Sequence, residues 1–582
     1  MVKPPIGASV AKTKPAAGTA GDEAMGAKTS AAKGAAGKRA ARKAAVTKPV
    51  PSEPASFKAA TKNAAPVEQP VSGRAEVLAV KPASGAPAKS DSTRDFFMDD
   101  FARTLFPLAT NRILIEHGEP EIRAYIAKCL DDDEKAYAFA PQKRVFVSKP
   151  HGYLRRTVKL DAVAEFYLYD LVFRNRARFR RPHVAVRAHY GYRFENGMPI
   201  AATQAYKAFK GGLADYGARY AHSRSMDVAT YFNSLYHHDI VSWFYDRNAS
   251  AEDAEGLGQL LREIAAGRSV DCLPQGLYPA KMIGNDLLRF VEEYHDLKSN
   301  QVIRFMDDIV LFADDEQAIL DDFQTIQRLI GDKGLSLNSR KTKLDEHVRA
   351  SIDSSIDTVK RQLLRRRRIE ITTGYTEEGA EIVKRAIVKT PLNEQEMSYI
   401  DSILNQADIE EEDAELLLTI MRGHASRLEK RLPDIMAAYP HLAKNVHGFC
   451  SDFEDKELLA EMLLTLAKRQ GRMPESQLFW FCAILADELM ESSPASALIS
   501  VLFNHPSATA ITRAKILEIA DLRYGLQELR NEQLASGQSD WLGWASAVGS
   551  RALNAGSRNQ RMKYWARGSN MNHLVAGIVA KL

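Results

Sequence analysis

The stretch that most constrains the fold is Gln301–Asp315, QVIRFMDDIVLFADD. Val302, Ile303 and Phe305 precede an Asp-Asp pair, and Ile309, Val310, Leu311 and Phe312 follow it. Short β-branched and apolar runs on both sides predict two strands joined by a tight turn at Met306–Asp308. Two carboxylates about 4 Å apart repel by roughly 4 kcal/mol at an effective dielectric near 20. Such a turn must either lie in water or face a cation, and the rest of the chain has to decide which.

At 582 residues the chain is too long for one core, so several regions are expected. Its net charge of +5 is unevenly spread. Residues 1–90 carry 15 Lys and Arg against 5 Asp and Glu, which leaves −5 on the remainder. A body of that charge must place its basic residues locally if it binds nucleic acid. The tail, residues 1–92, is rich in Ala, Lys, Pro and Gly, and predicts a disordered segment that either contacts phosphate backbones loosely or serves as a tether, with a transit peptide as a third reading. Cys129, Cys272, Cys450 and Cys482 are dispersed, which argues against structural zinc and disulfides and suits a cytoplasmic location. No run approaches the roughly 20 apolar residues a membrane span needs.

Beyond the tail, two amphipathic helices are expected between Asp95 and Leu130, the second from about Glu119. A hairpin should turn at Lys149-Pro150-His151-Gly152, with Arg155 and Arg156 on its return strand, and a long apolar helix should follow Asp161. HYGYRFENG (His189–Gly197) reads as a turn-rich, aromatic stretch, and Gln204–Tyr216 as a helix. Met226–Thr230 looks like a strand end carrying Asp227, where the residue is either a helix cap or a functional carboxylate. LPQG (Leu273–Gly276) breaks the chain before a helix near Pro279. A helix through Phe323–Ile330 then leads to KGLSLNSRKTKL, read as an exposed strand carrying Lys341 and Lys343. A polar connector, residues 351–391, holds Arg365–Arg368, and residues 392–582 read as helices throughout, a thumb-like or α-solenoid domain.

Taken in order, KPHGYLRR, HYGYR, RSMDVATYFNSLYHH, LPQG, FMDD and LNSRKT resemble the reverse transcriptases, over roughly Arg144–Leu344. The resemblance implies an α+β right-hand polymerase, with fingers and an antiparallel palm sheet within residues 93–350. It also implies RNA-directed DNA synthesis. Asp227, Asp307 and Asp308 would hold two Mg²⁺ ions, with Mn²⁺ as a substitute, and the Val228 carbonyl would be a further ligand. Lys149 and Arg155 would hold the triphosphate, Arg155 as a planar fork. Phe232 would close the sugar pocket against a ribose 2′-hydroxyl. Gln275 and Gly276 would lie beside the nascent base pair, and Lys341 near the pyrophosphate as a general acid.

The chain departs from the family pattern at Met306, Cys272 and Ala280. Signatures of RNase H, integrase and HNH endonuclease are not evident. A core followed by helices is similar to the bacterial defence-associated reverse transcriptases, the abortive-infection and "unknown group" lineages. That likeness implies antiviral DNA synthesis with dNTPs, RNA (a dedicated noncoding RNA in some members) and a DNA product, and either self-association or a partner protein on the C-terminal helices. Retron- or group II intron-type enzymes, and an inactive nucleic-acid-binding scaffold, are the alternatives.

Overall fold

The computed structural model describes residues 92–131, 133, 134, 136–179, 186–344, 359, 360, 362–364, 366 and 392–582. The expected tail, apart from Ser92, lies outside these residues, as do most of the connector and three of its four arginines. The first helix, Thr93–Phe101, starts where the Ser92 hydroxyl accepts from the Asp95 amide. The second differs from expectation. It runs from Ala109 to Cys129 and kinks at Gly118, because Pro120 removes a backbone donor and the glycine admits the side chain of Ile578.

Strands β1 (Lys143–Ser148) and β2 (Leu154–Lys159) form the expected hairpin. His151 (φ 59°) and Gly152 (φ 73°) turn the chain in left-handed conformations, and the Lys149 amide donates to the Tyr153 carbonyl at 2.8 Å. The Asp161 carboxylate caps the helix Ala162–Arg174, which is buried along nearly its whole length.

The central sheet contains β3 (Arg187–Tyr190), β6 (His222–Asp227), β7 (Gln301–Phe305), β8 (Asp308–Ala313) and β9 (Lys343–Leu344) in the order β3-β7-β8-β6-β9. A small hairpin, β4 (Phe194–Glu195) and β5 (Met198–Pro199), stands apart from it. The sheet is antiparallel except at its edge, where β3 runs parallel to β7. Ile303, Val310 and Phe312 face Phe209 and Leu213 of the helix Ala202–Arg219, which is longer at both ends than expected. The opposite face, with Val302, Ile309 and Leu311, joins the main core. Alternation along β7 and β8 therefore buries both faces, which explains the nearly continuous apolar run.

Two further boundaries move. Asp315 caps a helix that begins at Glu316 and ends at Asp332. Only Lys343–Leu344 of KGLSLNSRKTKL is a strand, because Lys341 and Thr342 both donate backbone amides to the Asn338 carbonyl and fold 338–342 into a turn.

Residues 392–582 are helical wherever they are ordered into regular elements. The helix Glu475–Glu488 meets the free edge of β1. There the Phe146 amide donates to the Glu475 carboxylate at 2.8 Å and the Ser148 amide to the Ser476 hydroxyl at 2.9 Å. Glu518 accepts from the amides of Ala109 and Thr110 at the start of the kinked helix. Phe106 packs edge-on against Phe479 at 5.0 Å. No helix among the described residues is long and apolar enough to cross a membrane, and all four cysteines are buried free thiols.

Candidate active site

Asp227 is the last residue of β6, directly across from Asp308, the first of β8. The strand stops because the chain turns toward the 336–338 segment: Val228 bridges Leu337, and the Ala229 amide donates to the Ser336 carbonyl. Thr230 (φ 47°) then opens the short helix Tyr231–Ser234. Asn338 grips Asp227 twice, its amide donating to the carbonyl at 2.7 Å and its side chain to Oδ2 at 3.3 Å. Lys341 Nζ reaches Asp227 Oδ1 at 3.1 Å. Asp227 is 7% exposed, whereas Asp307 is half-buried and Asp308 exposed.

The two-residue turn of the β7–β8 hairpin is Met306-Asp307, with the buried Met306 at φ 57°. A side chain is strained there, and the turn is braced from behind. Arg304, fully buried, donates to the Met306 carbonyl at 2.8 Å and forms a two-pronged pair with Glu292 at 2.6 and 2.9 Å. Asn285 Oδ1 accepts from the Met306 amide at 3.3 Å, and His189 Nδ1 lies 3.0 Å from Glu292. Gly191 must be glycine, because an added Cβ would sit 2.7 Å from Asn285. Burial, then Asp227 and Asp308, push the Asp307 carboxyl up to about 6, against Lys341. Burial and Asp227 raise Asp308 as well.

The β1–β2 hairpin presents its cations to this rim. Alternation along β2 sends Arg156 toward Asp271 (3.0 Å) and Arg155 toward Asp307. The Arg155 side chain makes no hydrogen bond or ion pair among the described residues. Burial lowers it, while Asp307 opposes that shift. Lys149 is lowered by burial, Arg155 and Lys341, and raised by Asp227 and Asp307, so it too lies within electrostatic reach of both carboxylates.

The remaining expected residues sit further back. The Gln275 carbonyl accepts from the Thr157 hydroxyl at 2.5 Å, tying LPQG to β2. Gly276 (φ 123°) packs against Leu105, where a Cβ would lie 2.7 Å from a methyl carbon. Phe232 is 5% exposed, with its ring against Gly284 and 5.4 Å from that of Tyr231. Asp314 and Asp315, the other acidic pair of the opening stretch, are remote from this chemistry. Asp314 accepts from the Ala221 amide and Asp315 caps a helix.

Sequence reading singled out Lys341 in LNSRKT but missed Asn338, although both reach Asp227. It also missed Arg304 and Glu292, whose only sequence signal is an arginine interrupting an apolar strand.

Among the described residues no three His, Cys, Asp or Glu side chains form a ready-made metal cage. The three aspartates form an open, mutually repelling rim instead, with Lys341 supplying the nearest countercharge. Hard oxygen donors with an unmet need for positive charge fit a divalent cation of the Mg²⁺ class.

Residues 212–355 match a family model described as Reverse transcriptase (RNA-dependent DNA polymerase). That span contains β6, the LPQG turn, the β7–β8 hairpin and β9. None of the curated proteins matches the chain. Solved structures that match include one described as telomerase from Candida albicans in complex with a TWJ fragment of telomeric RNA. It is 13% identical, covers 64% of this chain and 67% of that one, and has a TM-score of 0.28. A likeness that distant adds nothing to the family match.

Proposed function

We propose that the reverse transcriptase domain of this chain is an active RNA-directed DNA polymerase that extends a primer 3′-hydroxyl with deoxynucleotides at Asp227, Asp307 and Asp308. The observation that carries this reading is the pairing of Asp227 with Asp308 across adjacent strands, with Asp307 on the β7–β8 turn and Lys149 and Arg155 within electrostatic reach. The three carboxylates, with the Val228 carbonyl, would hold the divalent ions. When bound, Mg²⁺ or Mn²⁺ activates the hydroxyl and neutralises charge on the phosphates.

The protein's own groups do the rest. Arg155 presents a planar fork and Lys149 a point charge to the triphosphate. Lys341, released from Asp227, stands where it donates a proton to the departing pyrophosphate. Phe232, fixed by Tyr231 and Gly284, closes the sugar pocket, and the LPQG turn positions the nascent pair through its tie to β2.

The finer reading is antiviral defence in a bacterial cytoplasm. It is supported by the order of the parts, a polymerase core followed by helices that pack back on it. An RNA, either a dedicated noncoding one or another template, would then be the partner.

The deciding experiment measures labelled dNTP incorporation by the purified chain with Mg²⁺ and its co-purified RNA. Asp307→Ala should reduce incorporation by at least about a thousandfold, as expected when catalysis is mostly electrostatic stabilisation. Equal incorporation by variant and wild type sinks the reading. Phage protection that survives Asp307→Ala with Asp308→Ala would instead point to a scaffold.

A further inference from the structure

The segment that leads into LPQG carries a carboxylate that the roles proposed above leave unused. Asp271 is buried and sits at φ 60°, a left-handed conformation that Asp and Asn tolerate better than most residues. Its carboxylate meets partners from two other parts of the fold. Arg156 of β2 reaches it at 3.0 Å, Arg144 of β1 also pairs with it, and the Asn233 side chain donates to it at 2.6 Å. Asn233 lies on the helix Tyr231–Ser234, next to Phe232, and also donates to the Arg156 carbonyl at 3.3 Å. The segment is itself fixed to the chain beyond that helix. Val270 bridges Tyr236, and the His237 amide donates to the Ser269 carbonyl at 2.9 Å.

Arg155 and Arg156 are consecutive on β2 and leave opposite faces of it. Arg155 has no side-chain partner of its own among the described residues, so the strand has to aim it toward Asp307. Asp271 holds that strand at the very next residue. On one side Arg144 and Asp271 border a cavity of about 280 Å³, lined also by Arg268, so charge rather than apolar packing holds them together there. Burial, then Arg268 and Arg156, lower Arg144, as expected where cations crowd one carboxylate. Neutralising that carboxylate leaves two guanidiniums facing each other, and a shift of the hairpin relieves them.

We propose that Asp271 is a positioning residue for nucleotide binding: it latches the β1–β2 hairpin to the helix that follows Asp227, and so fixes the reach of Arg155 and Lys149 to the triphosphate. The inference rests on the polymerase reading above. It adds a residue that touches neither nucleotide nor metal and acts only through Arg144, Arg156 and Asn233. Loss of the latch displaces the hairpin without releasing it, because the Thr157 hydroxyl still donates to the Gln275 carbonyl. The aspartates stay in place, since the sheet and Asn338 hold Asp227 and Asp308 independently. The defect therefore falls on nucleotide capture and spares the chemical step.

The test is steady-state dNTP incorporation by full-length wild type, Asp271→Asn, Arg156→Gln, Arg156→Lys and Arg268→Gln, each also assayed for inhibition by pyrophosphate. Asn suits the same φ and can still accept from Asn233, so Asp271→Asn removes the charge alone. It should raise the dNTP KM and the pyrophosphate inhibition constant by one common factor, about tenfold, as for loss of one charge-assisted contact. Its kcat should stay within about twofold of wild type. Arg156→Gln should match it, and Arg156→Lys should keep most of the affinity. Arg268→Gln, which removes a cation of the same cavity that makes no ion pair with Asp271, should keep wild-type constants. Wild-type constants in Asp271→Asn overturn the proposal, as does a loss confined to kcat or an equal rise in Arg268→Gln. Should Asp271→Asn melt early, Arg156→Gln decides, because that side chain is 45% exposed. If wild type incorporates no dNTP, the polymerase reading falls, and calorimetry with Mg²⁺ pyrophosphate decides the latch. Weaker binding by Asp271→Asn then supports it, whereas equal affinity, or none in either protein, removes it. Normal incorporation with an unmoved KM in Asp271→Asn removes the latch alone.

Discussion

Lys341 Nζ lies 3.1 Å from Asp227 Oδ1, so a divalent cation held there as proposed would have to compete with the lysine for one carboxylate oxygen. The side chain of Lys341 is 64% exposed and free to swing, whereas Asp227 is pinned by Asn338. Replacing Lys341 with Ala should therefore have two opposite effects. Mg²⁺ should bind the resting protein more tightly, seen as a larger metal-induced rise in Tm. Incorporation should fall by about 100-fold, the lower end of the range for one general acid. A variant that loses both metal affinity and rate would place the lysine among structural supports.

Asp307 should show a trade between stability and activity. Its folded carboxyl titrates at about 6, against an ordinary value near 3.9, so the folded state holds the proton more firmly than the unfolded one. Ionisation thus costs the metal-free fold. That cost is complete above pH 6 and disappears below about pH 4. Asp307→Asn should raise stability at pH 7 by about 1–2 kcal/mol, after discounting for solvent screening, while abolishing incorporation. Chemical denaturation at pH 7 and at pH 3 would show the gain at the higher pH only.

The Arg304–Glu292 pair predicts a large loss. Both side chains are fully buried, and the arginine braces the Met306 carbonyl. Glu292→Gln should cost about 3–5 kcal/mol, because an uncompensated guanidinium remains. Arg304, with His189, holds the Glu292 carboxyl down to about 2 despite burial. Its contribution is therefore present above about pH 4.5 and lost as pH falls through 2. Urea midpoints at pH 7 that match wild type would contradict this.

Glu475 covers the outer edge of β1 and also accepts from Thr509 at 2.7 Å. Glu475→Ala should free the hairpin that carries Lys149 and Arg155. The expected signature is faster amide exchange at Phe146 and a rise in dNTP KM of several-fold, with primer–template affinity unchanged. Unaltered exchange at Phe146 would show that the helix does not hold the strand.

The β7–β8 hairpin was legible because apolar runs flanking two aspartates leave few folds open, and chain order then supplied Asp227. The apolar helix after Asp161 and the LPQG break were legible through capping and turn chemistry. The support beneath the turn was not. Arg304 in VIRF carries no sequence signal beyond an arginine in an apolar run, and its pairing with Glu292, from a preceding segment, makes it a core residue. Lys341 looked like a strand residue because the Asn338-centred turn is made by side-chain and backbone bonds that periodicity does not report. The helical character of residues 392–582 was plain from periodicity, but their closure onto β1 and Ala109–Thr110 depends on contacts more than 300 residues apart.

That closure has a consequence for how the protein is made. The amides of Phe146, Ala109 and Thr110 donate to Glu475 and Glu518, and Gly118 packs against Ile578. A ribosome releasing this chain from its N-terminus produces the polymerase core long before those partners emerge. Until then an open strand edge and Phe106 stay uncovered, and intermediates of that kind aggregate. The nascent chain thus waits for these C-terminal helices, and a message truncated before them yields a core with Asp227, Asp307 and Asp308 but an unfinished surface.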